Sequence, residues 1–555
     1  MGENVEGKTV IDRFWWFAAV LLLIFWFGNL EYRTLIHPDE GRYAEIPREI
    51  IVKGDWTTPR LNDLKYFEKP PLQYWVTALA YRVFGEHNWT ARLYTSATGL
   101  LGVLVTLIAG WRLFGSTVGV TSAAILASSF VYLIGAQMLT LDMGLTFHLH
   151  LALVSFLMAQ QAPGNERGRR AWMWVAWSAC ALAVLSKGLV GIALPILTLL
   201  VYTAWSRDWV VWRRLHIGSG FLIFLLVASP WFIAVSLENP TFLQFFFVRE
   251  HFQRFATSEH NRTAPWWYFG PILALGVLPW LGLLPQALRA AYASSSNEGV
   301  NAHRFLLVWC FVTIIFFSFS GSKLPLYILP ILPSLALLMG VAVTRLSDRQ
   351  LAVRFLVTVP LAGVMLGALP LLRGVADRKF PPELSAAYEP WIVVAIVWLM
   401  LFALAGAVLA WKHRRQGALL AVTLAGLGFA HVAITESNEL APALSSYGIV
   451  KHMQSESGAF DRSVPFFSIQ QYDQTLPFYL KRPLTLVNYA DEMAMGIGLE
   501  PEKAVASDRE FSARWQELRQ AYAILHIREL PEFVEQGLSF REVTRDWQRV
   551  VIARR

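Results

Sequence analysis

Apolar runs of roughly 18 residues or more recur along the first 436 positions, separated by polar connectors, and then stop. A helix of that length crosses roughly 30 Å of hydrocarbon. The pattern predicts thirteen spans, near residues 14–30, 91–112, 116–134, 138–160, 170–186, 188–205, 215–236, 266–288, 304–319, 323–344, 352–372, 389–411 and 416–435. After about residue 437 the period changes. "VPFFSIQ", "LTLV", "AYAILHI", "SFREVT" and "QRVVIARR" read as short strands, and "DREFSARWQELRQ" reads as a helix. The predicted fold class is an all-α polytopic membrane protein over residues 1–436 with a soluble α/β domain over 437–555. That domain has no glycine-rich phosphate loop and no metal-ligand spacing, so its expected role is to cover or shape a site.

One connector, about 31–90, is too long to be a plain turn. In "DEGRYAEIPREIIVKG", Arg42, Glu45, Arg48 and Glu49 share one helical face and Tyr43, Ile46 and Ile50 the other. The spacing predicts an amphipathic helix in the membrane interface, with Asp39 at its N-cap and a kink at Pro47. "PPLQYWVTALAYRVFG" predicts a second helix, opened by proline and closed by glycine.

Composition agrees with this class. The chain of 555 residues is 55% hydrophobic and 16% charged, with a mean hydropathy of +0.42; a soluble protein carries about a quarter charged residues. Its 23 tryptophans cluster at the ends of apolar runs, as in "FWWF" and "PWWYF", where amphipathic rings favour the interface. The two cysteines, Cys180 and Cys310, lie inside apolar runs, which excludes a disulfide framework and a zinc–thiolate site. The first apolar run lacks a small-residue cleavage site and reads as a retained span. The net charge of +8 fits a positive-inside bias, attraction to anionic lipid or phosphate, or both.

Connector charge gives an orientation. Arg167, Arg169 and Arg170, then Arg207, Arg213 and Arg214, then Arg289 and Arg304, then Arg345, Arg349 and Arg354, then Lys412, Arg414 and Arg415 follow even-numbered spans. These connectors are expected in the cytoplasm, with Arg13 and the N-terminus. The odd span count then sends the C-terminal domain outside. Arg373, Arg378 and Lys379 run against this scheme. The unusual polar motifs all fall on the outer side: "HPDEGRYAEIPREI", "YFEKPPLQYW", "TLDMG", "LSKG", "REHFQRF" and "GSKLPLY". Charge scattered by chance would not prefer one side.

Each motif has a bland reading beside its chemical one. Asp39 and Glu40 begin a helix, where one carboxylate serves as a cap; two at a bilayer boundary are costly unless paired or wet. Lys69 sits in "YFEKPP", where aromatics and prolines restrict its direction. It either snorkels to headgroups or joins Lys187, Arg254 and Lys323 in clamping a phosphate. Glu250 and Arg254 have the spacing of a helical ion pair. Glu68 and His251 are candidate ligands for a divalent metal such as zinc. Asp142 reads as a helix cap. The sequons at Asn88 and Asn261 read as chance.

An acidic pair in the first outer connector, two interfacial helices and an outer soluble domain on a polytopic core resemble the GT-C glycosyltransferases. Within that fold, "RYAEIPREI", "GDWTTPRLNDLKYFEKPPLQYW", "LSKG", "EHFQRF" and "GSKLPLYILP" are similar to the bacterial 4-amino-4-deoxy-L-arabinose transferases of lipid A, relatives of the protein O-mannosyltransferases. The resemblance implies an undecaprenyl-phosphate-linked sugar donor, a lipid A phosphate as acceptor, and inversion at the anomeric carbon. It also implies a multi-pass protein of the bacterial inner membrane, with site and C-terminal domain periplasmic, and a role in resistance to cationic peptides. Asp39, Glu40 and Lys69 are the expected catalytic residues. Arg42, Tyr43, Tyr66, Lys187, Arg254, Lys323 and Tyr327 are expected around the donor phosphate and sugar. No cofactor is required on this reading, and the Glu68–His251 metal stays an option. The expected partners are the two lipid substrates and membrane lipids, with no nucleic acid, and the expected state is a monomer. Other readings are a protein O-mannosyltransferase or related polyprenyl-phosphate-sugar transferase, a lipid flippase or transporter, or an outer scaffold. A flippase would show repeat symmetry and ionisable residues at the midplane, and neither is visible.

Overall fold

The computed structural model of the chain describes residue 20 and residues 22–161, 165–253, 264–294, 299–456 and 463–554. Among the described residues eight helices are long and apolar enough to cross a membrane: Asn88–Phe114, Asp142–Gln160, Ile217–Glu238, Ala302–Phe319, Pro325–Arg345, Asp348–Gly367, Pro382–Trp411 and Arg415–Leu444. Two further runs are bent pairs. Ser116–Ala127 meets Phe130–Gln137 at 64°, and Phe269–Gly276 meets Leu281–Tyr292 at 111°. The second bend corrects the straight span expected at 266–288. Pro279 lies at the break, where its ring denies the helix a donor. Helices Glu166–Lys187 and Val190–Ser206 take the places of the fifth and sixth expected runs. Most of the first run, 14–30, lies outside the described residues.

Small residues let these helices approach. A Cβ on Gly110 would lie 2.6 Å from the Gly119 Cα, and one on Gly340 would lie 2.0 Å from the Ser122 hydroxyl. Such contacts carry helix association where lipid removes the hydrophobic drive.

The C-terminal lobe is built on six strands: β3 (Phe466–Ile469), β4 (Thr485–Val487), β5 (Ala504–Val505), β6 (Tyr522–His526), β7 (Phe540–Arg545) and β8 (Arg549–Arg554). A two-residue hairpin in the first loop supplies β1 (Arg60–Leu61) and β2 (Leu64–Lys65). The order is β5-β4-β3-β6-β8-β7, parallel from β5 to β6 and antiparallel beyond. The five longer strands match the expected ones. β5 is too short to display alternation. Phe511 and Trp515 of helix Asp508–Glu517 pack on Phe467 of the sheet.

Helix Asp39–Lys53 departs from expectation. It is buried from Glu40 to Ile50 and runs unbroken through Pro47. Its N-cap position is Pro38, and Asp39 begins the first turn without capping it. The helix does not float in the interface, because the lobe covers its polar face. Tyr472, Phe478, Leu486 and Met493 of the lobe share one apolar cluster with Tyr43, Ile46, Tyr74 and Tyr81 of the loop. Gly41 permits the contact: a Cβ there would lie 2.5 Å from the backbone of Gln474 and Thr475. Asn62 and Leu484 exchange hydrogen bonds of 2.8 and 2.7 Å. Glu500 accepts from the Arg60 guanidinium and the Lys65 N–H, both at 3.0 Å. The second helix, Leu72–Phe84, ends at Gly85 as expected.

This docking buries charge. Arg48 forks onto Glu45 at 2.7 and 2.5 Å, and Glu49 accepts the Asp63 N–H at 2.9 Å. Burial above all, and then the neighbouring Glu45, push the Glu49 carboxyl up to about 8. An unfolded glutamate titrates near 4.3. The folded state therefore holds this proton more tightly, and its stabilising effect, complete below about pH 4.3, is lost as pH rises toward 8. Glu49→Gln should flatten the decline. Its thermal midpoint in detergent should fall less than that of the wild type between about pH 5 and pH 8, and parallel curves would contradict the assignment.

Candidate active site

The site is set by a residue expected to act in it. Glu40 is buried and turned toward Arg92. Its two oxygens accept from Arg92 Nε at 2.8 Å and Nη2 at 2.6 Å. They also accept the Leu139 N–H at 3.0 Å and the Ile36 N–H at 3.1 Å. The remaining Arg92 donors reach the carbonyls of Leu30, Arg33 and Thr34 at 2.7–2.9 Å. Arg92 begins the membrane helix Asn88–Phe114. Glu40 thus fastens the loop helix to the bundle, and its expected catalytic role gives way to this one.

The next turn carries the site. Arg42 Nη1 lies 3.9 Å from Asp39 and 3.8 Å from Glu68, and Nη2 lies 2.6 Å from Glu492. Its guanidinium carbon sits 5.8 Å from the Tyr43 ring centre and 5.9 Å from that of Tyr66. Burial works against the Arg42 charge, but Tyr66, Glu492, Tyr43 and Glu68 outweigh it and hold its pKa well above the ordinary value. Burial raises the Glu492 carboxyl, with Arg42 opposing. Lys69 Nζ lies 3.3 Å from Glu250 and 3.9 Å from the Glu68 carboxylate, and it donates to the Glu68 carbonyl at 2.9 Å. Asp39 is the most open carboxylate here, its side chain 43% exposed where Glu68, Glu250 and Glu492 show at most 13%. The hydroxyls of Tyr66 and Tyr74 and the Arg42 Nε are buried without a hydrogen-bond partner in the described protein.

A second group stands at the neighbouring helix end. Lys187 is ion-paired with Asp142 and lies 4.5 Å from the Tyr327 ring centre. Leu185 packs with Phe67, Trp231 and Phe242, which brings this end beside the "YFEKPP" segment. Asp142 therefore serves the pair, while Leu141 holds the cap position.

Asp39, Arg42, Tyr43, Tyr66, Glu68 and Lys69 converge as expected, and Lys187 and Tyr327 meet each other. Lys323 donates to the Ser320 carbonyl at 2.9 Å. His251 belongs to the π-helical segment Gln244–Gln253, but its side chain and Arg254 lie outside the described residues. Glu68 faces two cations, and no group of three or more His, Cys, Asp or Glu able to hold a metal occurs among the described residues. Glu492 was missed. It comes from the lobe, accepts a hydrogen bond from Gln474, and lies 450 residues along the chain from Arg42. The only local signal was the acidic pair in "YADEMAMG".

Two family models match the chain: the aminoarabinose transferase C-terminal domain over residues 450–554, and the dolichyl-phosphate-mannose-protein mannosyltransferase family over residues 13–246. An undecaprenyl phosphate-alpha-4-amino-4-deoxy-L-arabinose arabinosyl transferase of Pseudomonas paraeruginosa is 36% identical over 391 residues, 69% of each chain. The chain belongs to this arabinosyl transferase family. The crystal structure of ArnT from Cupriavidus metallidurans bound to undecaprenyl phosphate is 37% identical to the transferase, with a TM-score of 0.91 over 99% of this chain and 98% of that one. An oligosaccharyltransferase of Archaeoglobus fulgidus, 12% identical with a TM-score of 0.52 over 93% of this chain and 69% of that one, shares the fold alone. The transferase is a multi-pass membrane glycosyltransferase, and its soluble lobe is part of the family's design.

Two neighbouring carboxylates separate structure from chemistry. Glu40→Ala leaves Arg92 buried and unpaired, a loss of roughly 3–5 kcal/mol. It should deplete folded protein on size exclusion. Asp39→Asn should elute as wild type yet lose turnover by at least about a hundredfold. Equal behaviour of the two variants would sink the distinction.

Proposed function

We propose that the transferase moves 4-amino-4-deoxy-L-arabinose from undecaprenyl phosphate to a phosphate of lipid A, at the periplasmic face of the bacterial inner membrane, as a monomer. The names of its relatives support the donor. The single observation that carries the reading is the pair of cations Arg42 and Lys69, each held beside carboxylates in a largely buried place, as a phosphate clamp requires. The connector charges support an outer site.

The chemistry follows from charge. As the polyprenyl phosphate departs, the anomeric carbon becomes positive and the leaving oxygens become negative. Lys69 and Arg42 stabilise those oxygens, which is electrostatic catalysis by preorganised groups. The unpartnered Tyr66 and Tyr74 hydroxyls supply further donors. The incoming phosphate attacks from the opposite face, its oxygen forming the new bond to the sugar while the donor phosphate takes the electrons of the old one. A phosphate monoester, with a second pKa of about 6, is already an anion and needs little help from a base. Asp39, open and 3.9 Å from Arg42, then orients the sugar or its ammonium group. Glu68, set between two cations, is a poor seat for a third positive charge. The mannosyltransferase match over residues 13–246 keeps another polyprenyl-phosphate sugar as the second reading.

Mass spectrometry of lipid A from cells with and without the transferase should show aminoarabinose only in its presence; unchanged lipid A under inducing conditions would overturn the acceptor. Turnover of the purified enzyme should survive excess chelator, and restoration by zinc of an activity lost to chelation would revive the metal. A charge-assisted contact to phosphate contributes about 1.5–3 kcal/mol. Lys69→Ala should therefore lower turnover about tenfold to a hundredfold, more than it weakens donor affinity. Lys69→Arg should recover part, because a planar fork replaces a point charge. Wild-type values in Lys69→Ala would move the clamp to Arg42 and Lys187.

A further inference from the structure

A cavity of about 230 Å³ lies among helices Asp142–Gln160, Glu166–Lys187, Val190–Ser206, Ile217–Glu238 and Ala302–Phe319. Its walls are apolar and include Phe156, Met173, Ala176, Trp177, Leu199 and Trp309. It exceeds the roughly 150 Å³ of an apolar cavity that stays dry and takes up benzene. It also opens sideways. Ile196 and Ile217 on its wall are 48% and 50% exposed, and Leu200 and Phe221 beside them are exposed as well. This opening faces lipid, so the guest that can reach it is an acyl chain.

The cavity lies away from the catalytic cluster. Helix Glu166–Lys187 is about 33 Å long, and Lys187 stands at the site. The cavity uses Met173 to Cys180, the middle turns of this helix, and reaches Trp212, Leu215 and Ile217 beside its other end. Three indoles are anchored there: Trp177 to the Leu215 carbonyl at 3.0 Å, Trp174 to the Ser219 hydroxyl at 3.1 Å and Trp212 to the Thr203 hydroxyl at 3.1 Å. Tryptophans so placed mark a membrane–water boundary. Arg213 and Arg214 stand between the lining residues Trp212 and Leu215, and Arg170 lies 5.3 Å from the Trp174 ring centre. Residues 165–171 and 206–217 contain six arginines and two carboxylates. One of these, Glu166, is already paired with Arg169 at 2.8 Å.

We propose that this cavity is a binding site for one anionic phospholipid from the leaflet opposite the active site, an acyl chain filling it and the phosphate resting on Arg213, Arg214 and Arg170. A polyprenyl tail from the donor would satisfy the apolar wall, but its phosphate belongs at the other end of the bundle. The arginines favour a lipid whose headgroup lies at their own level.

Native mass spectrometry of the delipidated full chain tests this, with phosphatidylglycerol, phosphatidylethanolamine and undecaprenyl phosphate as separate probes. One phosphatidylglycerol should bind about tenfold more tightly than phosphatidylethanolamine. The double variant Arg213→Ala/Arg214→Ala should lose that preference. Ala176→Phe, which projects a ring into the cavity, should lose the phosphatidylglycerol adduct while keeping the thermal midpoint. Equal binding of the two phospholipids, an undiminished adduct in Ala176→Phe, or one-for-one displacement of phosphatidylglycerol by undecaprenyl phosphate would each overturn the proposal. Should Ala176→Phe fail to fold, the arginine double variant still decides.

Discussion

The buried pair of Glu40 and Arg92 is the contact on which the arrangement around Asp39 and Arg42 depends. Two opposite charges taken out of water cost several kcal/mol each, and their attraction offsets this only when every remaining donor and acceptor is used. Here all are. Arg92 gives two hydrogen bonds to Glu40 and three to backbone carbonyls, and Glu40 accepts two further backbone N–H groups. The start of a loop helix is thereby fixed on the start of a membrane helix. Asp39 and Arg42, one residue before Glu40 and two after it, inherit their positions from this node.

From there the arrangement is one of balanced charge. Arg42 and Lys69 would repel a neighbouring cation and resist burial alone. Glu68 faces both, Glu492 faces the first and Glu250 the second. Arg42 thus stays charged in a largely buried place, and Lys69 is flanked by two carboxylates. The arrangement also makes the lobe part of the site. Glu492 reaches Arg42 only because Gly41 lets the lobe backbone come within contact of the loop helix. A soluble domain that first reads as a cover contributes a carboxylate to the cluster around Arg42.

Much of the site was legible where local sequence restricts a side chain. "YFEKPP" is short, aromatic and proline-bound, and Glu68 and Lys69 both join the cluster around Arg42. Asp39 and Glu40 were alike in sequence but have opposite surroundings, one open and one buried. What divides them is Arg92, more than 50 residues on, and no local pattern announces such a partner. Lys187 and Lys323 both read as outer cations. Only the first meets an aromatic ring and a carboxylate, because Leu185 packs against Phe67. Glu492 had no more signal than any acidic pair after a strand.

Hydrophobic period alone determined that the chain is a helical membrane protein with a soluble α/β lobe, since roughly 30 Å of lipid demands runs of a length that few other folds need. Local chemistry marked the short motifs, such as "YFEKPP" and "LSKG", that carry the polar clusters. Tertiary structure decided the rest. Helix Asp39–Lys53 has the alternating faces of an interfacial helix, and that pattern cannot distinguish water from a second domain as the partner of its polar face. The lobe is that partner, and its docking turns an exposed charged face into a buried network. Amphipathicity records only that two faces differ; what each face meets is fixed by contacts between residues hundreds of positions apart.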